Sequence, residues 1–244
     1  MKKEHVFSVI ALLVIWQAAA MRVANDILIP YPMETLLETV KLFGSLSFYQ
    51  TVGATLYRVS KGFLLSMSAA LILCILSDRF PVVKEVLHPI LVIFKTIPNI
   101  SYIVMALIWL GAEGAVSAVS FMILFPVFAG AFSSRLENED RLLKEVKLLY
   151  PETFWYDIRY RVIPNLIPEL LASGKTAAGL GLKVGIMAEI LGQVRSGIGR
   201  SMNYARLNLD TAKIVAWTIV IIVISVLIDR IFSWIQAQQL KEEQ

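Results

Sequence analysis

Residues 145–168 read EVKLLYPETFWYDIRYRVIPNLIP, a charged and aromatic stretch set between some of the most apolar segments of the chain. A helix is predicted to start at Asn138, where Glu139 and Asp140 complement its positive end. Leu142, Leu143, Val146, Leu149 and Tyr150 then fall at i, i+1, i+4, i+7 and i+8, one apolar face, while Arg141, Lys144, Glu145 and Lys147 fill much of the remainder. Pro151 interrupts this helix and suits the first turn of a second. There Phe154, Trp155, Ile158 and Val162 make another apolar face, opposed by Asp157, Arg159 and Arg161; Pro164 and Pro168 punctuate the entry into the next apolar run. Such an island is either a membrane-surface linker or a docking element for a cytoplasmic partner.

The surroundings decide what the island interrupts. Of 244 residues, 57% are hydrophobic and 17% charged, whereas about a quarter of a soluble domain is charged. Mean hydropathy is +0.68. A bilayer core of about 30 Å takes roughly 20 mostly apolar helical residues, because backbone polar groups must be satisfied within the helix. Segments 6–24, 62–76, 86–110, 115–132 and 213–235 meet that requirement, the second if 51–61 extends it. Segment 166–191 is a weaker sixth, since it holds Lys175, Lys183 and Glu189, although its Gly and Ala content suits close helix packing. The expectation is an all-α integral membrane protein of six transmembrane helices, or five without that segment. Residues 1–244 form a single transmembrane domain, with the loop 136–164 inside it.

The stretch KKEHVFSVIALLVIWQAAA at 2–20 has the basic start and Ala-rich end of a cleavable signal peptide; the later spans favour a retained anchor. With Lys2 and Lys3 inside and six spans, the island is inside too, carrying Arg141, Lys144, Lys147, Arg159 and Arg161. The turn GAEG at 111–114 is outside and has no basic residue. Arg195, Arg200 and Arg206 fall outside against the trend, yet the summed bias places both termini in the cytoplasm. The pI of 9.1 therefore reflects membrane topology and does not point to nucleic acid.

Other motifs fail on spacing. SGKT at 173–176 lacks a phosphate-binding loop's first glycine, since Glu169 stands five residues before Gly174, and GLGLKVG from Gly179 is misspaced for a dinucleotide fingerprint. His5 and His88 cannot make a metal cluster by themselves, and the lone Cys74 allows no internal disulfide. Asn99-Ile100-Ser101 matches a glycosylation acceptor but lies in an apolar run. No catalytic, cofactor-binding or metal-ligating constellation emerges, so no enzymatic activity is expected.

The island resembles the cytoplasmic loop of bacterial ABC-importer permeases, which opens Glu-Ala-Ala, places Gly three residues later and closes Ile-x-Leu-Pro. Glu145 matches the Glu, Val162 the Ile and Pro164 the Pro; Val146 and Lys147 replace the alanines, and Pro151 stands where the Gly belongs. ILIPYPMETL (27–36), TLYRVSKGF (55–63), FKTIPNISYIVMALIWLG (94–111), GLKVGIMAEILGQVRSGIGRSMNYA (181–205) and LIDRIFSWI (227–235) resemble the nitrate/sulfonate/taurine branch, and together cover nearly the whole chain. The resemblance implies a type I ABC importer permease fold in the cell membrane. It implies two copies of an ATPase subunit, which carries the ATP and Mg, a second permease copy as a homodimer, and an extracytoplasmic substrate-binding protein. Glu145, Leu149, Pro151, Trp155, Ile158 and Pro164 would then form the ATPase-coupling surface.

Intramembrane charges usually face a cavity or a partner. Arg58, Lys61, Lys95, Lys183 and Glu189 are accordingly candidates for the translocation path. The competing expectations are structural: Lys183 and Glu189 neutralise each other, Lys61 or Lys95 reaches an interface, and Asp229 pairs with Arg230. Gly174, Ala178, Gly181, Gly185 and Ala188 are expected in or beside the permease dimer interface. The excess of Lys and Arg favours an anionic cargo such as a sulfonate, taurine or nitrate. A vitamin precursor or other small heterocycle is the alternative, and an ion-driven secondary transporter a more remote one.

Overall fold

A computed structural model describes residues 3–139, 142, 149 and 152–242. Helix α1 spans Lys3–Val23 and leads to a short amphipathic helix, α2, Pro32–Phe43, started by a proline in its first turn. Helix α3, Leu46–Arg79, is capped by Ser45, whose hydroxyl oxygen accepts from the Phe48 N–H at 3.3 Å. At 34 residues it is about 51 Å long, more than the hydrocarbon core requires. The expected span 62–76 is thus extended by 51–61 and beyond.

Helix α4, Pro81–Thr96, stops at Ile97, held in extended conformation before Pro98. The expected continuous span 86–110 is therefore broken there, and its second half opens α5, Asn99–Glu137. Inside α5, Gly111 adopts φ 66° and ψ 178°, a geometry natural to glycine that turns the chain. Ring contacts fix the direction of that turn. Phe94 lies 6.0 Å from Tyr102 and 5.8 Å from Phe125, whereas 23 residues of straight helix would part Tyr102 and Phe125 by about 34 Å. The two halves of α5 fold back on each other, as the GAEG turn predicts.

A four-residue helix, α6 (Phe154–Asp157), runs into a π-helical turn, Ile158–Val162, and then into α7, Ile163–Gly192. Pro164 and Pro168 sit inside the start of α7 instead of separating it from the island. Gln193, with φ 48°, ends α7; α8 follows over Ile198–Leu207 and α9 over Thr211–Glu242. Asp210 caps α9, its carboxylate accepting from the Lys213 N–H at 2.9 Å. By length and composition α3, α5 and α9 are apolar enough to cross a membrane.

The core is the packing of α3, α5 and α7. A bilayer gives apolar side chains no reason to leave lipid, so close approach through small residues carries the association. A Cβ on Gly62 of α3 would meet Ser120 Cβ at 2.5 Å and the Ser117 carbonyl at 2.6 Å, both on α5. On Gly185 of α7 it would meet Val59 of α3 at 2.4 Å, and on Gly181 it would meet Leu124 of α5 at 2.9 Å. Gly174 lies against Phe232 of α9. Gly174, Gly181 and Gly185 are thus packed against helices of their own chain, while Ala178 is only half-buried. Buried Phe128 and Phe132 fill the space between α3 and α7.

Candidate functional site

Two arginine-centred clusters tie the same three helices at opposite ends. Arg58 of α3 donates to Glu189 of α7 at 2.9 Å, to the Ser196 carbonyl at 2.7 Å and to Glu113 of α5 at 2.5 Å. Glu189 is fully buried and also accepts from the Thr55 hydroxyl and the Gly199 N–H, each at 2.9 Å. Thr55 in turn accepts from the Ile198 N–H at 2.8 Å. A buried carboxylate costs several kcal/mol unless paired and hydrogen-bonded, and here both conditions hold. The expected Lys183–Glu189 neutralisation is wrong: Lys183 is exposed one helical turn and a half away, and Arg58 takes the role.

Arg161 centres the other cluster. It donates to Asp78 at the end of α3 at 2.5 Å and to Glu139 just past α5 at 2.8 Å, and it pairs with Asp157 of α6. Hydrogen bonds to Asp157, Asp78 and Glu139 outweigh desolvation and hold the guanidinium further above its ordinary pKa. Arg135 Nε donates to the Asn165 side chain at 2.9 Å, joining α5 to α7 beside it. Arg58 and Asp78 stand 20 positions apart on α3, about 30 Å, so the clusters bracket one hydrocarbon thickness. Helix α9 starts beside the Arg58 cluster, where Trp217 stacks on Phe48, and runs along α7 toward the Arg161 end through the Lys175–Asp229 pair.

The island leaves and re-enters the bundle at one point, because Glu139 and Arg161 touch across 22 residues. Beyond that collar several described apolar residues are exposed to solvent. Trp155 and Leu149 are each 74% exposed and Leu142 68%, and the exposed Tyr156 and Tyr160 rings meet at a tilt, 4.5 Å between centroids. Ile158 is half-buried and Pro164 exposed. Glu145 and Pro151 lie outside the described residues. The expected apolar face of 154–162 splits, since Val162 is buried in the bundle and Trp155 points away.

The candidate path residues separate similarly. Arg58 and Glu189 are locked together, whereas Lys61, Lys95 and Lys183 are exposed. The Lys95 ammonium lies over Gly130 of α5, 3.2 Å from the position a Cβ would occupy. Asp229 pairs with Lys175 at 3.1 Å, not with Arg230. Sequence reasoning missed Glu113, Asp78 and Glu139 as partners; each sits next to a helix end, where a charge signals a boundary but not its mate.

The model of the binding-protein-dependent transport system inner membrane component matches residues 62–240. Among relatives, SsuC of Bacillus subtilis, named for aliphatic sulfonates transport, is 24% identical over 94% of this chain and 84% of its own length. The formylaminopyrimidine transport permease protein ThiX of Halalkalibacterium halodurans is 26% identical over 77% of this chain and 75% of its own. The taurine transport system permease protein TauC of Escherichia coli is 22% identical over 90% and 82%. A multi-pass helical bundle with a membrane-sized core, matched by that model over most of its length, belongs to the family of binding-protein-dependent transport system inner membrane components.

Proposed function

We propose that this chain is the translocating subunit of an ATP-driven importer of small anions, and that residues 136–164 couple it to a cytoplasmic ATPase. Membership of a binding-protein-dependent family implies an ATPase and a substrate-binding protein as partners. The observation that carries the coupling assignment is the collared island with its bare Trp155 and Leu149. An exposed aromatic anchor on a charged loop is what a protein interface uses, and a lipid-facing linker has no need of the Arg161 collar. Ile158 and Pro164 complete its described part, and Glu145 and Pro151 belong to it by their place in the motif.

The Lys and Arg of the island favour a cytoplasmic Arg161 end, and with an even number of spans cytoplasmic termini as well. Two ATPase subunits closing on ATP draw two permease copies, arranged as a homodimer, between inward-open and outward-open states. Only contacts that differ between those states move that equilibrium. The collar passes a pull on the island to α3, α5 and α7 together, because Arg161 holds all three near their cytoplasmic ends. The chain itself hydrolyses nothing. Arg58, Lys61, Lys95, Lys183 and Glu189 remain the path candidates, with Lys61, Lys95 and Lys183 accessible to cargo.

Relatives named for sulfonates and taurine favour an anionic cargo; the one named for formylaminopyrimidine supports a small heterocycle as the second reading. Co-expression with candidate ATPase and binding-protein subunits tests the proposal. An ATPase that co-purifies and is stimulated by loaded binding protein supports it. Ion-gradient-driven uptake without any ATPase would refute it.

A further inference from the structure

At the Arg58 end a cleft of about 320 Å³ opens between the start of α3, the 193–197 turn, α8 and the start of α9. Arg195, Arg200 and Lys213 line it together with the hydroxyls of Ser201 and Thr51, over a floor where buried Trp217 stacks on Phe48 at 5.6 Å. No Asp or Glu lines it among the described residues. The carboxylates beside it are already engaged: Glu189, behind the lining Gly197, holds Arg58; Glu113 holds Arg58 and the Arg195 N–H at 2.8 Å; and Asp210 caps α9 with Lys213 Nζ 3.4 Å away. Among the described residues neither Arg195 nor Arg200 pairs with a carboxylate within ion-pair distance, and Arg200 is held in place by its bond to the Val194 carbonyl at 3.0 Å.

We propose that this cleft is a binding site for an oxyanion attached to an apolar group, the shared chemistry of an alkyl sulfonate and of an anionic phospholipid. Three cations with hydroxyl donors match an oxyanion's several acceptors, and charge-assisted bonds of this kind are the strong ones. The indole floor takes the apolar part. Occupancy also reaches the buried cluster, because Ser196 and Gly197 line the cleft while the Ser196 carbonyl holds Arg58. This deepens the importer reading by giving anions a first stop outside the spans, but the site is defined by its own geometry.

The test is ethanesulfonate titrated into the purified permease–ATPase complex in detergent, without nucleotide or binding protein, following tryptophan fluorescence and thermal stability. Chloride at equal ionic strength and dimethyl sulfone, the uncharged analogue, are the controls. Saturable binding that weakens at least ~10-fold in Arg195→Gln/Arg200→Gln supports a free-anion site. If phosphatidylglycerol nanodiscs stabilise the wild type over the double variant, with phosphatidylcholine showing no difference and ethanesulfonate inert, the same site holds a lipid headgroup. Binding by neither probe, or equal binding in the double variant, overturns the proposal. Failure here leaves ATPase co-purification intact, and failure of co-purification leaves anion binding by the permease alone measurable, so the two readings fail separately.

Discussion

Replacing Arg58 by Met is the sharpest probe of how the bundle is held. The substitution keeps an unbranched apolar stem and removes the guanidinium that faces Glu189 and Glu113. Glu189 retains the Thr55 hydroxyl and the Gly199 N–H, yet it is fully buried and loses its charge partner. Breaking a buried pair from one side costs about 3–5 kcal/mol. The Glu113 arm adds little, since that side chain is 46% exposed and exposed pairs contribute at most about 1 kcal/mol. For a chain of this size each kcal/mol moves Tm by roughly 2–4 °C, so a fall of roughly 6–20 °C is expected. Arg58→Met/Glu189→Gln should recover most of it, because Gln still accepts from Gly199 and Thr55 without carrying charge. Thermal unfolding of the detergent-solubilised protein reads all three. A single variant within about 2 °C of wild type, or a double variant no better than the single, would refute the reasoning.

Lys183→Ala should leave Tm nearly unchanged and add independently to Glu189→Gln, because Lys183 is exposed and does not hold that carboxylate; coupling above about 0.5 kcal/mol in a double-mutant cycle would contradict this. Gly62→Ala should cost about 1–3 kcal/mol of stability, since its Cβ meets the Ser117 backbone at 2.6 Å, whereas Gly53→Ala, facing open space in the same helix, should be neutral or stabilising. Arg161→Gln should lower substrate transported per ATP hydrolysed, because it unties the island from α3 and α5. Parallel uptake and hydrolysis assays check this, and an unchanged ratio goes against the collar.

The elements were largely legible in the sequence because bilayer thickness is a severe constraint: all six apolar runs fall on helices, 86–110 in two pieces, and GAEG found the reversal at Gly111. The break at Ile97 was available from Pro98, which biases the preceding residue away from the helical region, but the apolar run around it hid the signal. Charge pairing was not legible. Glu189 finds Arg58 across 131 positions instead of Lys183 six residues away, because the bundle brings α3 and α7 together and turns Lys183 outward. The glycines of α7 announced close packing without naming the partner, which proved to be α3, α5 and α9 of the same chain. Within the island, Trp155 and Val162 fell on one predicted face; the π-helical turn between them sends one outward and the other into the core.

The central claim is that the bare aromatic island seats an ATPase, and its most direct measurement is the affinity of the ATPase for wild-type and Trp155→Ala permease in nanodiscs. Trp155 is 74% exposed in the isolated chain, so its removal costs the fold little. A buried aromatic anchor contributes about 2 kcal/mol or more to an interface. The account predicts Kd weakened about 30-fold, with insertion and Tm unchanged. Equal affinity for both proteins would make the island a surface linker and contradict the account.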